Sequence, residues 1–413
     1  MVCPRFPPGQ ASQRTVNRIS IQIVRVLAIS FFVGASACGS STANEGYFDQ
    51  CEPGMPPDAE CYAKRRDPES EQVALATNIA RRWIDEHSVQ SQWWDWGPSV
   101  LMHSFAELYR VTGHEWLRDY YKAWMDYRIR EGYRVVWSDS CPPAIIATSL
   151  LSEAPSEEYQ QVVDDVLYYL DEVAPRTDWG GISHTGILGQ KSIWVDSLFM
   201  FGMVLTRWGE FTDDPSRLDM LSEQVGIFSE LLQHDNGLML HAHDWPHVDP
   251  TIYWNRGNSW VVASLSDYLR VRLLRGETDR EVERVFRNQV RGAIELQDSD
   301  SGLWWSIMNR PDEIYLETSG SALFAYGMAR AYRYGFVDHQ ELAAAQRAVE
   351  GVKQKIEYDE QGRPVVTGIS LGTDPGDFEN YANVNLADDI NYGVGAAILA
   401  LIETSGLPDS ERE

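Results

Sequence analysis

Twelve segments of this 413-residue chain read as helices, and they alternate between two kinds. Helical periodicity between Gly, Pro and Asp breaks marks residues 71–87, 98–112, 115–130, 143–152, 157–172, 192–208, 216–233, 258–274, 279–297, 319–334, 338–356 and 392–403, and β-branched alternation of strand type is scarce. The odd members carry charged faces, as in Glu281-Val282-Glu283-Arg284-Val285, which suits a helix with one side in solvent. The even members are small and apolar, as in Val394-Gly395-Ala396-Ala397-Ile398-Leu399-Ala400, which suits burial on most sides. Six of each in alternation predict an all-α fold, an (α/α)6 barrel of six inner and six outer helices, built from hairpins of roughly 50 residues each.

In such a barrel the inner helices all run the same way, so the segments ahead of them gather at one mouth. Those segments are Trp93-Trp94-Asp95-Trp96-Gly97, Trp137-Ser138-Asp139-Ser140, Trp194-Val195-Asp196, Tyr253-Trp254-Asn255-Arg256-Gly257-Asn258-Ser259-Trp260, Glu317-Thr318-Ser319-Gly320-Ser321 and Asp388-Asp389-Ile390-Asn391-Tyr392-Gly393. Tryptophan, acid, arginine and hydroxyl groups where helix N-termini converge are the composition of a carbohydrate pocket.

Three stretches are specific enough to carry a family resemblance: Ile193-Trp194-Val195-Asp196-Ser197-Leu198-Phe199-Met200, Trp254-Asn255-Arg256-Gly257-Asn258-Ser259-Trp260, and Glu317-Thr318-Ser319-Gly320-Ser321 running on to Gly327. They resemble glycoside hydrolase family 105, the unsaturated rhamnogalacturonyl hydrolases, and more distantly family 88, the unsaturated glucuronyl hydrolases. The likeness runs from about Asp95 to Glu403. It implies the same barrel, no cofactor, and an unsaturated uronyl oligosaccharide as substrate. The implied reaction hydrates the enol-ether double bond that a polysaccharide lyase leaves on a terminal uronic acid. A general acid protonates C4, positive charge develops at C5 and the ring oxygen, and water adds at C5. The hemiketal then opens and releases the rest of the oligosaccharide.

Protonating carbon near neutral pH requires a carboxyl group that keeps its proton, which burial can arrange. Asp196 matches the family's catalytic acid/base and is expected to be that group; its ordinary alternative is capping the sixth helix. Asp139 matches the second acidic position, as an ionised partner or, again, a cap. His241 and His184 fit histidine positions of the family. The stretch Leu240-His241-Ala242-His243-Asp244-Trp245 leaves that match open by one residue. No third ligand accompanies His241 and His243 with convincing spacing, so no metal is expected. Arg256 is the candidate anion binder, or else the partner of Glu317 or Asp244. Thr318 and Ser319 are hydroxyl donors or caps. Trp254, Trp260 and Trp94 are candidates for sugar stacking among 15 tryptophans, most of which two concentric helical layers must bury. Other readings are another (α/α)6 carbohydrate enzyme, an inverting hydrolase or epimerase, or a non-catalytic oligosaccharide-binding lipoprotein.

The net charge of −26 argues against nucleic acid or an anionic membrane surface as partner. Residues 1–37 hold arginines and no acid and lead through Val26-Leu27-Ala28-Ile29-Ser30-Phe31-Phe32-Val33 to Ala35-Ser36-Ala37-Cys38. That is a signal peptide of lipoprotein type, with Cys38 as the lipidated N-terminus. It implies export to a periplasm- or surface-facing membrane anchor, the anchor being the chain's only membrane contact. Residues 38–68 form a tether and N-terminal tail, in which Cys51 and Cys61 bracket a proline-rich loop and are a candidate disulfide. Residues 69–413 form the barrel.

Overall fold

The helices form where the periodicity puts them because most carry their own start signals. In the computed structural model, which describes residues 66–410, α1 (Glu71–Glu86) begins at Ser70, whose hydroxyl accepts from the Val73 N–H at 3.2 Å. α2 (Trp96–Thr112) begins at Asp95 and stops at Gly113, where φ of 67° suits a residue without Cβ. α3 (Glu115–Glu131), α4 (Pro143–Glu153) and α5 (Glu157–Tyr168) follow. Next come α6 (Ser197–Met200), α7 (Gly202–Thr212), α8 (Pro215–Leu232), α9 (Asn255–Leu274), α10 (Arg280–Ile294), α11 (Thr318–Arg333), α12 (His339–Gln354), the short α13 (Phe378–Ala382) and α14 (Asn391–Thr404).

All twelve expected helices are present, and their burial separates them as the sequence patterns do. α9 is buried continuously from Asn255 to Arg272, whereas α10 buries one stripe that includes Val282, Val285, Phe286 and Val290. α2, α4, α7, α9, α11 and α14 touch in that order and α14 returns to α2, closing the inner ring. α3, α5, α8, α10 and α12 each pack on the inner helix before them, and α1 packs on α14. This is the (α/α)6 barrel. Glycines let the inner helices approach: a Cβ on Gly327 would lie 2.8 Å from the backbone of Val262, and one on Gly395 would lie 2.9 Å from that of Leu101.

One boundary differs from expectation. The sixth predicted helix does not start near residue 192, because Ile193–Trp194 pairs antiparallel with Ala242–His243 and the helix begins only at Ser197. Three further two-stranded pairs, Trp304–Trp305 with Leu316–Glu317, Ile356–Tyr358 with Pro364–Val366, and Ile369–Ser370 with Leu386–Ala387, were not visible in the sequence pattern.

The C-terminal ends of the inner helices enclose a layer of buried ion pairs. Arg330 on α11 contacts Asp267 of α9 at 2.6 Å, and Glu107 of α2 and Glu403 of α14 at 3.0 Å each. Arg207 of α7 adds a 2.8 Å contact to Asp267. Arg66 reaches Glu107 and Glu403 at 3.1 Å, so the end of the expected tail already belongs to the barrel. Cys38, Cys51, Cys61 and the leader lie outside the described residues.

Candidate active site

The strand pair that displaces the start of the sixth helix also builds the site. Its continuation, a hydrogen bond from the Val195 N–H to the His241 carbonyl at 2.8 Å, brings Asp196 and His241 together. His241 Nε2 lies 3.3 Å from Asp196 Oδ2. Across the sheet, residues 241 and 243 take different surroundings. His241 is buried against Asp196, while His243 is half-buried beside Asp244 at 3.2 Å, so of the two it is His241 that stands at the carboxyl. The Asp196 side chain makes no capping hydrogen bond to the helix that follows it.

Asp139 stands in a single 3-10 turn, Ser138–Ser140, held by a hydrogen bond from the Ser138 N–H to the His184 carbonyl at 3.0 Å. His184 Nε2 is 3.7 Å from Asp139 Oδ1. Burial, with smaller contributions, lowers the pKa of His184 to about 4, so its ring is neutral. The Ser197 hydroxyl donates to Ser138 at 3.2 Å and therefore accepts from Nδ1–H of His184, 3.0 Å away. That tautomer turns an unprotonated Nε2 toward Asp139. The two carboxyls thus face opposite environments. Burial, then Asp95 and Asp196, push the pKa of Asp139 well above the carboxylate range. Burial is also the strongest influence on Asp196, but His241, with a smaller contribution from His184, outweighs it and leaves the pKa lowered. Where the sequence reading expects a raised pKa at Asp196, the displacement is upward at Asp139 and downward at Asp196, because the partner of Asp196 comes from a strand that the local motif does not contain.

The remaining candidates divide. Trp254 is buried with its ring stacked on His241 at 4.1 Å, and Trp194 stacks on His184 at 4.2 Å. Trp260 is a core residue, packed on Phe199 at 4.4 Å and edge-on to Trp96 at 5.9 Å, so it is removed from the stacking set. Trp94 is stacked on Tyr133 at 4.0 Å and donates its indole N–H to the Ser140 carbonyl at 3.1 Å. Its neighbour Trp93 is the exposed one, at 73%. Thr318 and Ser319 are fully buried in the first turn of a helix that Glu317 caps: Thr318 donates to the Thr367 carbonyl at 2.8 Å and Ser319 to Glu317 at 2.7 Å. Their protons are committed to the fold, so neither stands as a substrate donor. Arg256 is buried as well. It donates to the carbonyls of Ser370 at 3.0 Å and Leu371 at 2.8 Å, with Glu317 3.8 Å away. Its guanidinium therefore holds the segment after Ile369 and reaches a bound anion only through space.

Two residues of the site were not singled out by sequence. Asp95, inside the first mouth segment, has its pKa raised to about 6 by burial, against the Trp96 N–H, and adds negative potential at Asp139. Its place among tryptophans was the available signal. Tyr381, whose hydroxyl lies 2.8 Å from His241 Nδ1, sits in a stretch without motif and gave none. Among the described residues one group has metal-ligand geometry, Glu86, His87 and Asp389, but Arg82 already lies 2.9 Å from Glu86 and 2.6 Å from Asp389.

Comparison with known proteins agrees with this architecture. Residues 73–407 match the family described as Glycosyl Hydrolase Family 88. The unsaturated rhamnogalacturonyl hydrolase YesR of Bacillus subtilis (strain 168) is 26% identical over 320 residues, which are 75% of this chain and 89% of that protein. A crystal structure of a possible GH105 member from Klebsiella pneumoniae has TM-score 0.72 at 25% identity, covering 86% of this chain and 98% of the other. The unsaturated glucuronyl hydrolase of Bacillus sp. GL1, a likeness of fold alone at 18% identity, has TM-score 0.60 and covers 80% of this chain and 95% of its own.

Proposed function

The chain belongs to glycosyl hydrolase family 88, and on that premise we propose that it removes a 4,5-unsaturated uronic acid from the non-reducing end of lyase-generated oligosaccharides. The observation that carries the reading is the pair of buried carboxyls, Asp139 and Asp196, each against its own histidine and with pKa values displaced in opposite directions. Enol-ether hydration needs one proton for C4 and one negative charge for the oxocarbenium character at C5. A dyad holding a single proton supplies both. The proton leaves the dyad for C4, water adds its oxygen to C5, and the proton that the water sheds returns to the dyad. Opening of the C5 hemiketal then releases the remaining oligosaccharide, so no covalent enzyme intermediate is required.

The acid/base role that the resemblance gives Asp196 fits this scheme through the substrate itself. A bound uronate brings another carboxylate, which raises the pKa of the carboxyl it approaches and so draws the shared proton toward it. The exposed Trp93 offers a face for a sugar ring, and Arg256 supplies positive potential within a protein of net charge −26. Incubation with lyase-generated pectin, ulvan and glycosaminoglycan oligosaccharides should bleach the ultraviolet absorbance of the ring double bond for at least one of them. Unchanged absorbance across the panel would overturn the reading and favour a protein that only binds sugars.

We also propose that the protein is exported and anchored through Cys38, on the strength of the basic start, the apolar run 26–33 and Ala35-Ser36-Ala37 ahead of the cysteine. Cells fed labelled fatty acid should label the wild-type chain and not Cys38→Ser; equal labelling of both sinks the anchor.

A further inference from the structure

The segment between Ile369–Ser370 and Leu386–Ala387 is clamped at its base by the pairing of those two strands and crosses the mouth as a strap. Contacts along its length hold it: Arg256 donates to the Ser370 and Leu371 carbonyls, the Asp249 N–H donates to the Gly376 carbonyl at 3.1 Å, and Tyr381 enters an apolar cluster of Ile252, Trp254 and Ile307. Tyr381 is 1% exposed, and the one polar atom of its side chain is 2.8 Å from His241 Nδ1. The opposite nitrogen of the same ring is 3.3 Å from Asp196. A phenol on one side and a carboxylate on the other leave little freedom for the imidazole, whose face is already covered by Trp254.

We propose that Tyr381 is a positioning residue, donating its proton to Nδ1 of His241 so that the ring carries its own proton on Nε2 and presents it to Asp196. This rests on the reading of Asp139 and Asp196 as the reacting dyad. The phenol keeps the proton that this arrangement has it donate, because burial pushes its pKa upward. His241 is then the mirror image of His184: one histidine turns a donor toward Asp196, the other an acceptor toward Asp139, and the two tautomers sort the proton between the carboxyls. The hydroxyl belongs to a strap some 140 residues from its partner in the chain, so a wall of the pocket also sets the charge of the dyad. The other titratable groups bearing on this arrangement are Asp139, His184 and Asp95 on the mouth segments, and Asp249, which with Asp196 acts on Tyr381.

Tyr381→Phe tests it, since phenylalanine keeps the apolar anchor and removes only the hydroxyl. Two-dimensional nitrogen spectra of the histidine rings should show His241 protonated on Nε2 in the wild type and a changed tautomer or a mixture in Tyr381→Phe. Protonation of Nδ1 in the wild type, or an unaltered His241 signal in the variant, overturns the inference whether or not the protein turns over any sugar. On a substrate that the wild type bleaches, loss of one hydrogen bond to a ring that faces a carboxylate should lower kcat by about tenfold with KM within about twofold. With Nε2–H no longer held against it, Asp196 titrates at higher pH, so the acidic limb of the rate profile moves up by about one unit. A role in anchoring the strap alone would raise KM, lower Tm and leave that limb in place, and that result also overturns the proposal. In a His241→Gln background, Tyr381→Phe should cause no further loss of kcat, because its action passes through the ring. A bleaching failure by the wild type, by contrast, removes the proposed reaction while leaving the ring spectra to decide the tautomer.

Discussion

Asp139→Asn and Asp196→Asn should each reduce kcat/KM by roughly 10³-fold on a bleached substrate, within the range that general acid–base groups supply. Both substitutions preserve shape and remove titration, so circular dichroism should stay unchanged. The pH profile separates the two. Activity of a one-proton dyad falls on the acid side when Asp196 takes up a second proton and on the alkaline side when Asp139 loses its own. Asp139→Asn should therefore abolish the alkaline limb in whatever activity remains, and Asp196→Asn the acidic one. Stability gives an independent sign. Asp139 has a folded pKa above its unfolded value, so the folded protein holds a proton that the unfolded chain has released, and stability falls as pH rises between the two values. Asp139→Asn removes that penalty and should raise Tm at neutral pH while destroying activity. Asp196 has a depressed folded pKa, and its charge stabilises the fold above the unfolded value. Asp196→Asn should not raise Tm there. Retention of more than a tenth of wild-type kcat/KM by either variant would contradict the dyad.

The largest expected effect on stability lies at the other end of the barrel. Arg330→Met should destabilise the protein by about 3–5 kcal/mol, the usual cost of removing one member of a buried charge cluster. Arg330 joins Asp267, Glu107 and Glu403, which stand on three different inner helices, and the side chains of all four are at most 1% exposed. Without it those carboxylates keep only their remaining arginine partners while staying shut away from water. Chemical denaturation monitored by tryptophan fluorescence should show the midpoint falling; an unchanged midpoint would mean the neighbouring arginines suffice. The same layer predicts the acid limit. Glu107, Asp267 and Glu403 all have lowered folded pKa values: burial opposes their charge, and the arginines around them outweigh it. Their stabilising contribution is complete above the unfolded carboxylate pKa of roughly 4 and disappears as pH falls through the depressed folded values. Acid unfolding should begin below about pH 4 in the wild type and at higher pH in Arg330→Met.

Much of this molecule was legible before any coordinates, and the reason is range. A helix is decided by contacts three and four residues apart, by a Ser70 or Asp95 at its start and a Gly113 at its end, so twelve helices and their inner or outer character follow from local pattern. Alternation then dictates the ring, and the ring dictates that Asp139, Asp196, His184 and His241 meet at one mouth. What local pattern cannot carry is the state of those groups. The pKa of Asp139 is raised by burial and by Asp95 and Asp196, and that of Asp196 is lowered because a two-residue strand brings in His241. Thr318, Ser319 and Trp260 have the same residue types as true sugar contacts and belong to the interior only because of what packs over them. Sequence by itself determined which chemical groups are present and at which end of the barrel they gather. Tertiary structure alone decided in which direction each carboxyl's pKa is displaced, because a pKa is set by desolvation and by charges a few ångströms away, and those neighbours come from anywhere in the chain.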